Sequence, residues 1–188
     1  MIDYVVYSLK DLMSTPNELA VFIKSFSNFK CEKNEDVENF LKSDCIKYEE
    51  DNNCRTFFIL DKEKLKKAEV SIVAFFSIAI TGVGISGVTR SKRRKLLGSK
   101  LKNKEVIPAY LIGQLGRNDA YKNVDLSGDI ILKECYERIK EAQRSVGGRL
   151  MLIECKKEVL KFYRDNNFLE VSKEPGKKGL YQMYKMLV

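Results

Sequence analysis

Residues Ile107 to Phe168 decide the fold, and they read IPAYLIGQLGRNDAYKNVDLSGDIILKECYERIKEAQRSVGGRLMLIECKKEVLKFYRDNNF. The stretch opens with an apolar strand pattern, IPAYLIGQL, followed by the polar turn GRNDAYKNVD and a helix that begins at Ser127 and Gly128. A second strand, RLMLIEC, leads into a helix that carries Phe162 and Tyr163. A buried strand followed by a turn and a helix N-terminus suits the binding of an anionic cofactor, because the first amides of a helix are free donors.

The same alternation of strand and helix patterns extends over the rest of the chain. Strands are predicted at Tyr4–Leu9, Arg55–Asp61, Val70–Ile80, Pro108–Leu115, Arg149–Cys155 and Tyr181–Val188. Helices are predicted at Pro16–Phe29, after the capping residue Asn34, from Ser127 to the stop at Gly147-Gly148, and around Phe162. The charged segment Lys62–Glu69 is predicted to be a hairpin-like connection, and Thr81–Lys104 is predicted to be the least ordered part.

Length and composition predict one globular domain over residues 1–188. The chain has 188 residues with 44% hydrophobic and 32% charged residues, which is ordinary for a soluble protein with a real core. No run of about 18 uncharged apolar residues occurs, and the N-terminal residues show no basic-then-apolar signal pattern. We therefore expect a cytoplasmic protein that does not contact a membrane.

The cysteine and histidine content limits the chemistry. Five Cys are present without a C-x-x-C pair, which predicts reduced structural thiols. The absence of His excludes His-based triads, His-ligated zinc and imidazole general bases, and no metal site is expected. Catalysis would have to use carboxylates, Tyr, Ser, Lys, Cys, main-chain amides or water.

The net charge of +8 is unevenly distributed. Arg90 to Lys104 contains eight basic residues and no acidic one, whereas Cys31 to Asp51 contains eight acidic residues against three Lys. One interpretation of the basic segment is a binding surface for a phosphate-rich partner such as RNA. The other is a mobile, solvated loop, and the sequence leaves both open.

The order β-α-α-β-β-β-α-β-α-β-β, with these local patterns, resembles the Gcn5-related N-acetyltransferase family. The match is strongest in LIGQLGRNDAYKNVDLSGDIIL, at the family's strand, diphosphate loop and helix, and in LIECKKEVLKFYRDNNF, at its strand and FY-containing helix. FKCEKNEDVENFLKSDCIKYEEDNNCRTFFILD is similar to the aminoacyl-tRNA-acetylating toxin branch. The resemblance implies an α/β (α+β) fold with a mixed, largely antiparallel central sheet flanked by helices, and acetyl-CoA as the acetyl donor.

The family's loop has the pattern Gln/Arg-x-x-Gly-x-Gly/Ala, and KNVDLS from Lys122 to Ser127 occupies it here. Lys122 keeps a cation, whereas Asp125 and Ser127 replace the two small residues. An Asp beside two phosphates is unfavourable unless it points away or caps the helix. The resemblance implies that Leu111–Leu115 pairs with the pantetheine arm and that a nearby main-chain N–H faces the acetyl oxygen. The implied cofactor-binding residues are Leu115, Gly116, Arg117, Lys122, Asn123, Val124, Asp125, Leu126, Ser127 and Gly128.

Tyr163 occupies the position of the family's tyrosine that protonates the departing coenzyme A thiolate. A phenol has a pKa of about 10 and can donate a proton at neutral pH. Without the FY…F context, a helix Tyr would be read as core packing. The general base is not evident; Glu154, Asp119 or relayed water are candidates. Ile153 and Cys155 flank Glu154, so strand alternation is expected to send its side chain to the opposite face from the cofactor, which weakens its assignment as a catalytic residue.

The resemblance implies an N-acetyltransferase that moves an acetyl group directly to a primary amine. The amine could belong to an aminoacyl-tRNA, with the RNA bound through Arg90–Lys104, or to a small molecule or protein. A homodimer and an antitoxin partner are also implied. The alternatives are a catalytically degenerate binding module that keeps the fold, and an RNA-binding protein that uses the basic segment alone.

Overall fold

The computed structural model describes residues 1–86, 88–98, 104–176 and 178–187. The strands in this part of the chain are β1 Tyr4–Ser8, β2 Arg55–Asp61, β3 Ile72–Gly84, β4 Val106–Arg117, β5 Leu150–Cys155, β6 Leu169–Glu170 and β7 Tyr181–Met186. These seven form one sheet in the order β1-β2-β3-β4-β5-β7-β6. The β4–β5 pair is parallel, whereas β1–β2, β2–β3, β5–β7 and β6–β7 are antiparallel. The mixed, largely antiparallel sheet predicted from the resemblance is confirmed.

Helices fill the connections between these strands. They are α1 Leu9–Leu12, α2 Pro16–Phe26, α3 Glu35–Asn39, α4 Cys45–Glu50, α5 Lys62–Leu65, α6 Arg90–Leu97, α7 Gly128–Val146 and α8 Leu160–Asp165. A π-helical turn, Phe40–Asp44, joins α3 to α4, so the second predicted helix is interrupted. None of the helices within the described residues is long and apolar enough to cross a membrane.

The chain divides into two compact units, each built from two segments. Unit 1 comprises Met1–Ile78 and Gln114–Tyr136, and unit 2 comprises Ala79–Gly113 and Glu137–Val188. The single domain that we predicted over residues 1–188 stays a prediction.

Aromatic side chains form much of the core of unit 1. In the β1–β2–β3 meander, Phe58 on β2 pairs with Phe75 on β3, and both rings are fully buried. Phe22 of α2 packs on Phe58 with ring centroids 5.5 Å apart, and Phe29 meets Phe75 edge-on at 5.2 Å. Burial of these aromatic rings contributes favourably to the folding of unit 1.

Unit 2 is organised around β5. Leu152 at its centre pairs with Leu111 of β4 on one side and with Tyr184 of β7 on the other. Leu96 and Leu97 of α6 join Leu152 and Tyr184 in one buried cluster. The strand is therefore flanked by strands on both sides and covered by apolar side chains, which explains its nearly continuous hydrophobic sequence.

Within Thr81–Lys104, which the sequence predicts to be the least ordered part, the structure places the end of β3 and the unpredicted helix α6. β3 continues to Gly84, and Thr89 caps α6 by accepting a hydrogen bond from the Lys92 amide at 3.4 Å. The apolar pair Leu96-Leu97 at the end of α6 is buried, so the basic residues before it are carried on a helix that packs against the rest of unit 2. Residues 99–103 of the predicted basic loop lie outside the described part.

Smaller differences concern element ends. α2 ends at Phe26 rather than Phe29, and β4 is longer than Pro108–Leu115 at both ends. The connection after β2 contains the single helical turn α5, because the Asp61 carboxylate accepts hydrogen bonds from two following amides.

Candidate functional site

The segment that matches the family's diphosphate loop lies in unit 1, between β4 and α7. Arg117, the last residue of β4, is half-buried, and its Nη1 donates to Asn123 Oδ1 at 3.0 Å and to the Leu126 carbonyl at 2.8 Å. Leu126 is fully buried, whereas Val124 at the tip is 76% exposed. Arg117 was expected to contact phosphate; here its Nη1 binds the loop itself, which fixes the loop to the end of β4.

Asp125 closes the loop through three of its polar groups. Its Oδ2 accepts a hydrogen bond from the Lys122 amide at 2.7 Å, and its own amide donates to the Lys122 carbonyl at 3.0 Å. Its carbonyl accepts from the Ile2 amide at 2.9 Å. The carboxylate therefore binds the first amide of the loop instead of capping α7.

Ser127 caps α7, as the sequence predicts. Its Oγ accepts from the Ile130 amide at 3.4 Å, and its carbonyl accepts from the amides of Ile130 and Ile131. Within the described residues the amide of Gly128, the first residue of this 19-residue helix, has no acceptor. The N-terminus of a long helix carries a partial positive charge, so this amide can bind an anion.

The end of β4 is tightly packed beneath the loop. Leu115 is half-buried and Gly116 is buried. A Cβ at position 116 would lie 2.4 Å from Val37 Cγ1, so only glycine fits against α3 at this point. The assignment of a catalytic main-chain N–H to Leu115 or Gly116 stays a prediction.

The turn after β4 contains structural residues that the sequence analysis did not single out. Asn118 is buried, and its Nδ2 donates to the carbonyls of Ile72 and Asn28 at 3.0 and 3.2 Å. The amide of Ala120 donates to Asn118 Oδ1 at 3.1 Å. An Asn directly after a strand signals a turn, but these partners are distant in sequence and could not have been foreseen.

Asp119 and Tyr121 attach the same turn to the rest of unit 1. Asp119, one candidate base, is exposed and accepts from the Glu32 amide at 2.8 Å. The Tyr121 hydroxyl lies 2.7 Å from Ser71 Oγ and donates to Asp61 Oδ2 at 3.3 Å. The turn is thus held on several sides before the loop begins.

Tyr163, the predicted proton donor, lies near the end of α8 in unit 2. It is 6% exposed, and its ring meets Phe162 and Phe168 edge-on, with centroids 5.0 and 5.6 Å away. The Phe168 amide donates to the Tyr163 carbonyl at 2.9 Å. The FY…F pattern therefore places three aromatic rings together, and the packing holds the tyrosine ring in one orientation.

Glu154 lies near the end of β5, on the face opposite to Ile153 and Cys155. It is exposed, whereas Ile153 and Cys155 on either side are buried. Its Oε1 accepts from Gln182 Nε2 on β7 at 2.8 Å. The alternation expected from the sequence is confirmed, and the role of Glu154 as a base stays a prediction.

The basic residues of α6 fall into two groups. Lys92 Nζ donates to the carbonyls of Glu170 and Val171, the latter at 2.8 Å, and burial lowers the pKa of Lys92. Arg93 donates to the Lys104 carbonyl at 2.7 Å. The exposed basic residues of the helix are Arg90, Arg94 and Lys95. Lys92 and Arg93 thus bind main-chain carbonyls elsewhere in unit 2, and the other three basic residues face solvent.

Comparison with known proteins shows similarity in structure. No family model matches the chain, and no curated protein matches it. A solved structure described as a bacterial toxin matches 100% of this chain and 92% of its own, with TM-score 0.75 and 15% identity. AtaT complexed with acetyl-methionyl-tRNAfMet matches 98% and 95%, with TM-score 0.72 and 14% identity. A tyrosine-to-phenylalanine mutant of KacT matches 97% and 94%, with TM-score 0.73 and 11% identity. The chain has the fold of these toxin structures, which confirms the predicted Gcn5-related N-acetyltransferase-like fold.

Proposed function

We propose that the protein is an acetyl-CoA-dependent N-acetyltransferase whose acceptor is the amine of an aminoacyl-tRNA. The observation that carries the proposal is the similarity over nearly the whole chain to AtaT complexed with acetyl-methionyl-tRNAfMet and to a structure described as AtaTR bound with AcCoA. The loop in unit 1 and Tyr163 in unit 2 supply residue types that this chemistry needs.

The loop in unit 1 fits the diphosphate of coenzyme A with one exception. The Gly128 amide and the N-terminus of α7 offer hydrogen-bond donors and positive potential. Arg117 adds a cation at the base of the loop, and the exposed Lys122 adds a second one. The exception is the Asp125 carboxylate, which adds a negative charge and occupies the Lys122 amide.

Tyr163 is the proposed acid. Acetyl-CoA supplies an acetyl thioester; attack by the amine nitrogen forms the C–N bond, breaks the C–S bond and leaves a thiolate. The Tyr163 hydroxyl gives its proton to that sulfur, and the amine loses its own proton to water or to a carboxylate, for which Glu154 and Asp119 are candidates. An aminoacyl α-amine has a lower pKa than a lysine side chain, so a strong base is unnecessary.

The proposed partners follow from charge and from the similar proteins. The exposed Arg90, Arg94 and Lys95 of α6 would bind RNA phosphates. AtaT has been solved with the C-terminus of the antitoxin AtaR, and a KacTA complex has been solved with DNA. We propose an antitoxin partner for this chain by analogy with these complexes, and the homodimer implied by the family resemblance stays a prediction.

The test is transfer of labelled acetyl groups from acetyl-CoA to aminoacyl-tRNA, protein and small-amine pools, read by mass spectrometry. Tyr163→Phe removes the proposed acid and should lower the transfer rate about 100-fold or more, since general acid catalysis typically contributes a factor of that order. Tyr181→Phe, which removes a half-buried phenol elsewhere in unit 2, should transfer at the wild-type rate. Equal rates for wild type and Tyr163→Phe would refute the assignment.

RNA recognition through α6 is tested separately by reversing charge. Arg94→Glu should weaken tRNA binding and reduce the slope of log affinity against log salt, because fewer counterions are released. Glu141→Lys, on the exposed surface of α7, is a control for a charge change elsewhere in unit 2. If Arg94→Glu has the tRNA affinity and salt dependence of wild type, the proposal that α6 binds RNA is refuted.

A second candidate function is a binding module that keeps the fold without catalysis. The contact between Asp125 and the Lys122 amide favours it, because the carboxylate opposes a diphosphate. Calorimetric titration separates the two: absence of binding at millimolar acetyl-CoA would favour the module. RNA binding without any acetyl transfer would instead support the alternative of an RNA-binding protein that uses Arg90–Lys104.

A further inference from the structure

We infer that Asp125 is a specificity-determining residue that weakens binding of the coenzyme A diphosphate and leaves binding of the pantetheine arm unaffected. The inference rests on the proposed function and deepens it, since it concerns how strongly the loop holds the nucleotide end of the acetyl donor. Three observations in unit 1 support it.

The first observation is that the carboxylate uses a donor that a phosphate would need. Asp125 Oδ2 accepts from the Lys122 amide at 2.7 Å, a short distance for an N–H···O bond to a charged acceptor. Lys122 is the first residue of the matching loop, so its main-chain donor is satisfied within the protein. A bound diphosphate would have to displace this carboxylate or do without the donor.

The second observation is that Asp125 is held in place. Its amide donates to the Lys122 carbonyl, and its carbonyl accepts from the Ile2 amide at 2.9 Å. The buried side chain of Leu126 follows directly and attaches the loop to the core. The main chain at Asp125 is thus fixed, and the carboxylate can leave its position only by a side-chain rotation that breaks its hydrogen bond to the Lys122 amide.

The third observation concerns the charges around the loop. Arg117 Nη1 is used in two hydrogen bonds to the loop, to Asn123 Oδ1 and to the Leu126 carbonyl. Lys122 is exposed, and the high dielectric of solvent weakens its attraction for an anion. A fixed negative charge within the loop therefore opposes a ligand with two phosphate charges, whereas the pantetheine arm is neutral.

The test compares two acetyl donors on wild type and Asp125→Asn by calorimetry. Asparagine has nearly the same shape and keeps an oxygen that can accept from the Lys122 amide, so only the charge is removed. We expect Asp125→Asn to bind acetyl-CoA about tenfold more tightly, equivalent to about 1.4 kcal/mol. S-acetylpantetheine, which lacks the diphosphate and the nucleotide, should bind both proteins equally.

Glu32→Gln is the matched control, because it removes one exposed negative charge from unit 1 outside the loop. Its affinity for acetyl-CoA should equal that of wild type. The tenfold gain in Asp125→Asn should also shrink as salt rises from about 0.1 M to about 1 M, where screening shortens the reach of charge from about 10 Å to about 3 Å. A thermal unfolding midpoint equal to that of wild type would show that Asp125→Asn folds normally.

The outcomes distinguish a failure of the role of Asp125 from a failure of the proposed acetyltransferase function. Unchanged or weaker acetyl-CoA binding in Asp125→Asn, or an equal gain for both donors, would overturn the role of Asp125 and leave the acetyltransferase proposal standing. Asp125→Gly, which restores the family's residue and frees the Lys122 amide, should tighten acetyl-CoA binding at least as much as Asp125→Asn. Absence of binding of either donor to all these proteins would overturn the proposed function together with the inference.

Discussion

Gly116→Ala offers a direct test of the packing beneath the loop. A Cβ at this position would lie 2.4 Å from Val37 Cγ1 and 3.7 Å from Phe29 Cζ. Carbon atoms in van der Waals contact are about 3.5–4.0 Å apart, so the new Cβ and Val37 Cγ1 must move apart by more than about 1 Å. Val37 is buried and β-branched, and its side chain has little freedom to move aside.

The expected cost of Gly116→Ala is about 1–3 kcal/mol, the usual penalty of overpacking a well-filled core. Replacing Gly restricts the unfolded chain and returns about 0.4–1 kcal/mol, so the net loss should be about 1–2 kcal/mol. For a chain of this size that loss corresponds to a decrease in Tm of about 2–8 °C. Urea unfolding should show a lower midpoint with an unchanged m-value.

Two further variants make the test specific to the contact with Val37. Gly84→Ala is the control, because a Cβ there meets no atom within 4 Å, and its stability should be within about 0.5 kcal/mol of wild type. Val37→Ala removes the clashing methyl groups, so the double variant should be more stable than the sum of the two single losses predicts. Full stability of Gly116→Ala, or strict additivity with Val37→Ala, would refute the reasoning.

Three other predictions concern the same fold. Asn118→Ala leaves buried main-chain groups without partners and should cost about 1–3 kcal/mol in the free energy of unfolding, measured by urea titration; an unchanged midpoint would contradict the hydrogen bonds described. Gly148→Ala should lower Tm more than Gly147→Ala, since both have positive φ but only position 148 would bring a Cβ to 2.6 Å from the Tyr110 ring; the opposite order would contradict this packing. The hydrogen bond from Lys42 lowers the pKa of Glu38 to about 2, so the stability from this group is present above about pH 4.5 and is lost as pH falls toward 2. The free energy of unfolding of Glu38→Gln should therefore fall less than that of wild type between about pH 4.5 and pH 2. If the free energy of unfolding depends on pH in the same way in both proteins, the lowered pKa of Glu38 is contradicted.

Much of the fold and part of the site could be predicted from local sequence. The strand at Arg55–Asp61 was predicted with the observed limits, and the start and stop of α7 at Ser127 and Gly147 were predicted from capping chemistry. Helix α6 was not predicted, because its sequence RSKRRKLL is basic except for the last two residues and shows no apolar periodicity. That Leu96 and Leu97 are buried is evident only in the structure.

Sequence alone determined most of the strands, the long helix α7 and the exclusion of imidazole chemistry, because these depend on periodicity, capping and residue type. Tertiary structure alone decided which polar groups meet. Lys92 reaches the carbonyl of Val171, 79 residues away, and Asn118 reaches that of Asn28, 90 residues away. It also decided that Asp125 faces the Lys122 amide and that Gly116 packs against Val37. The physical reason is that side-chain direction and close approach depend on how distant segments pack, which local preferences do not encode.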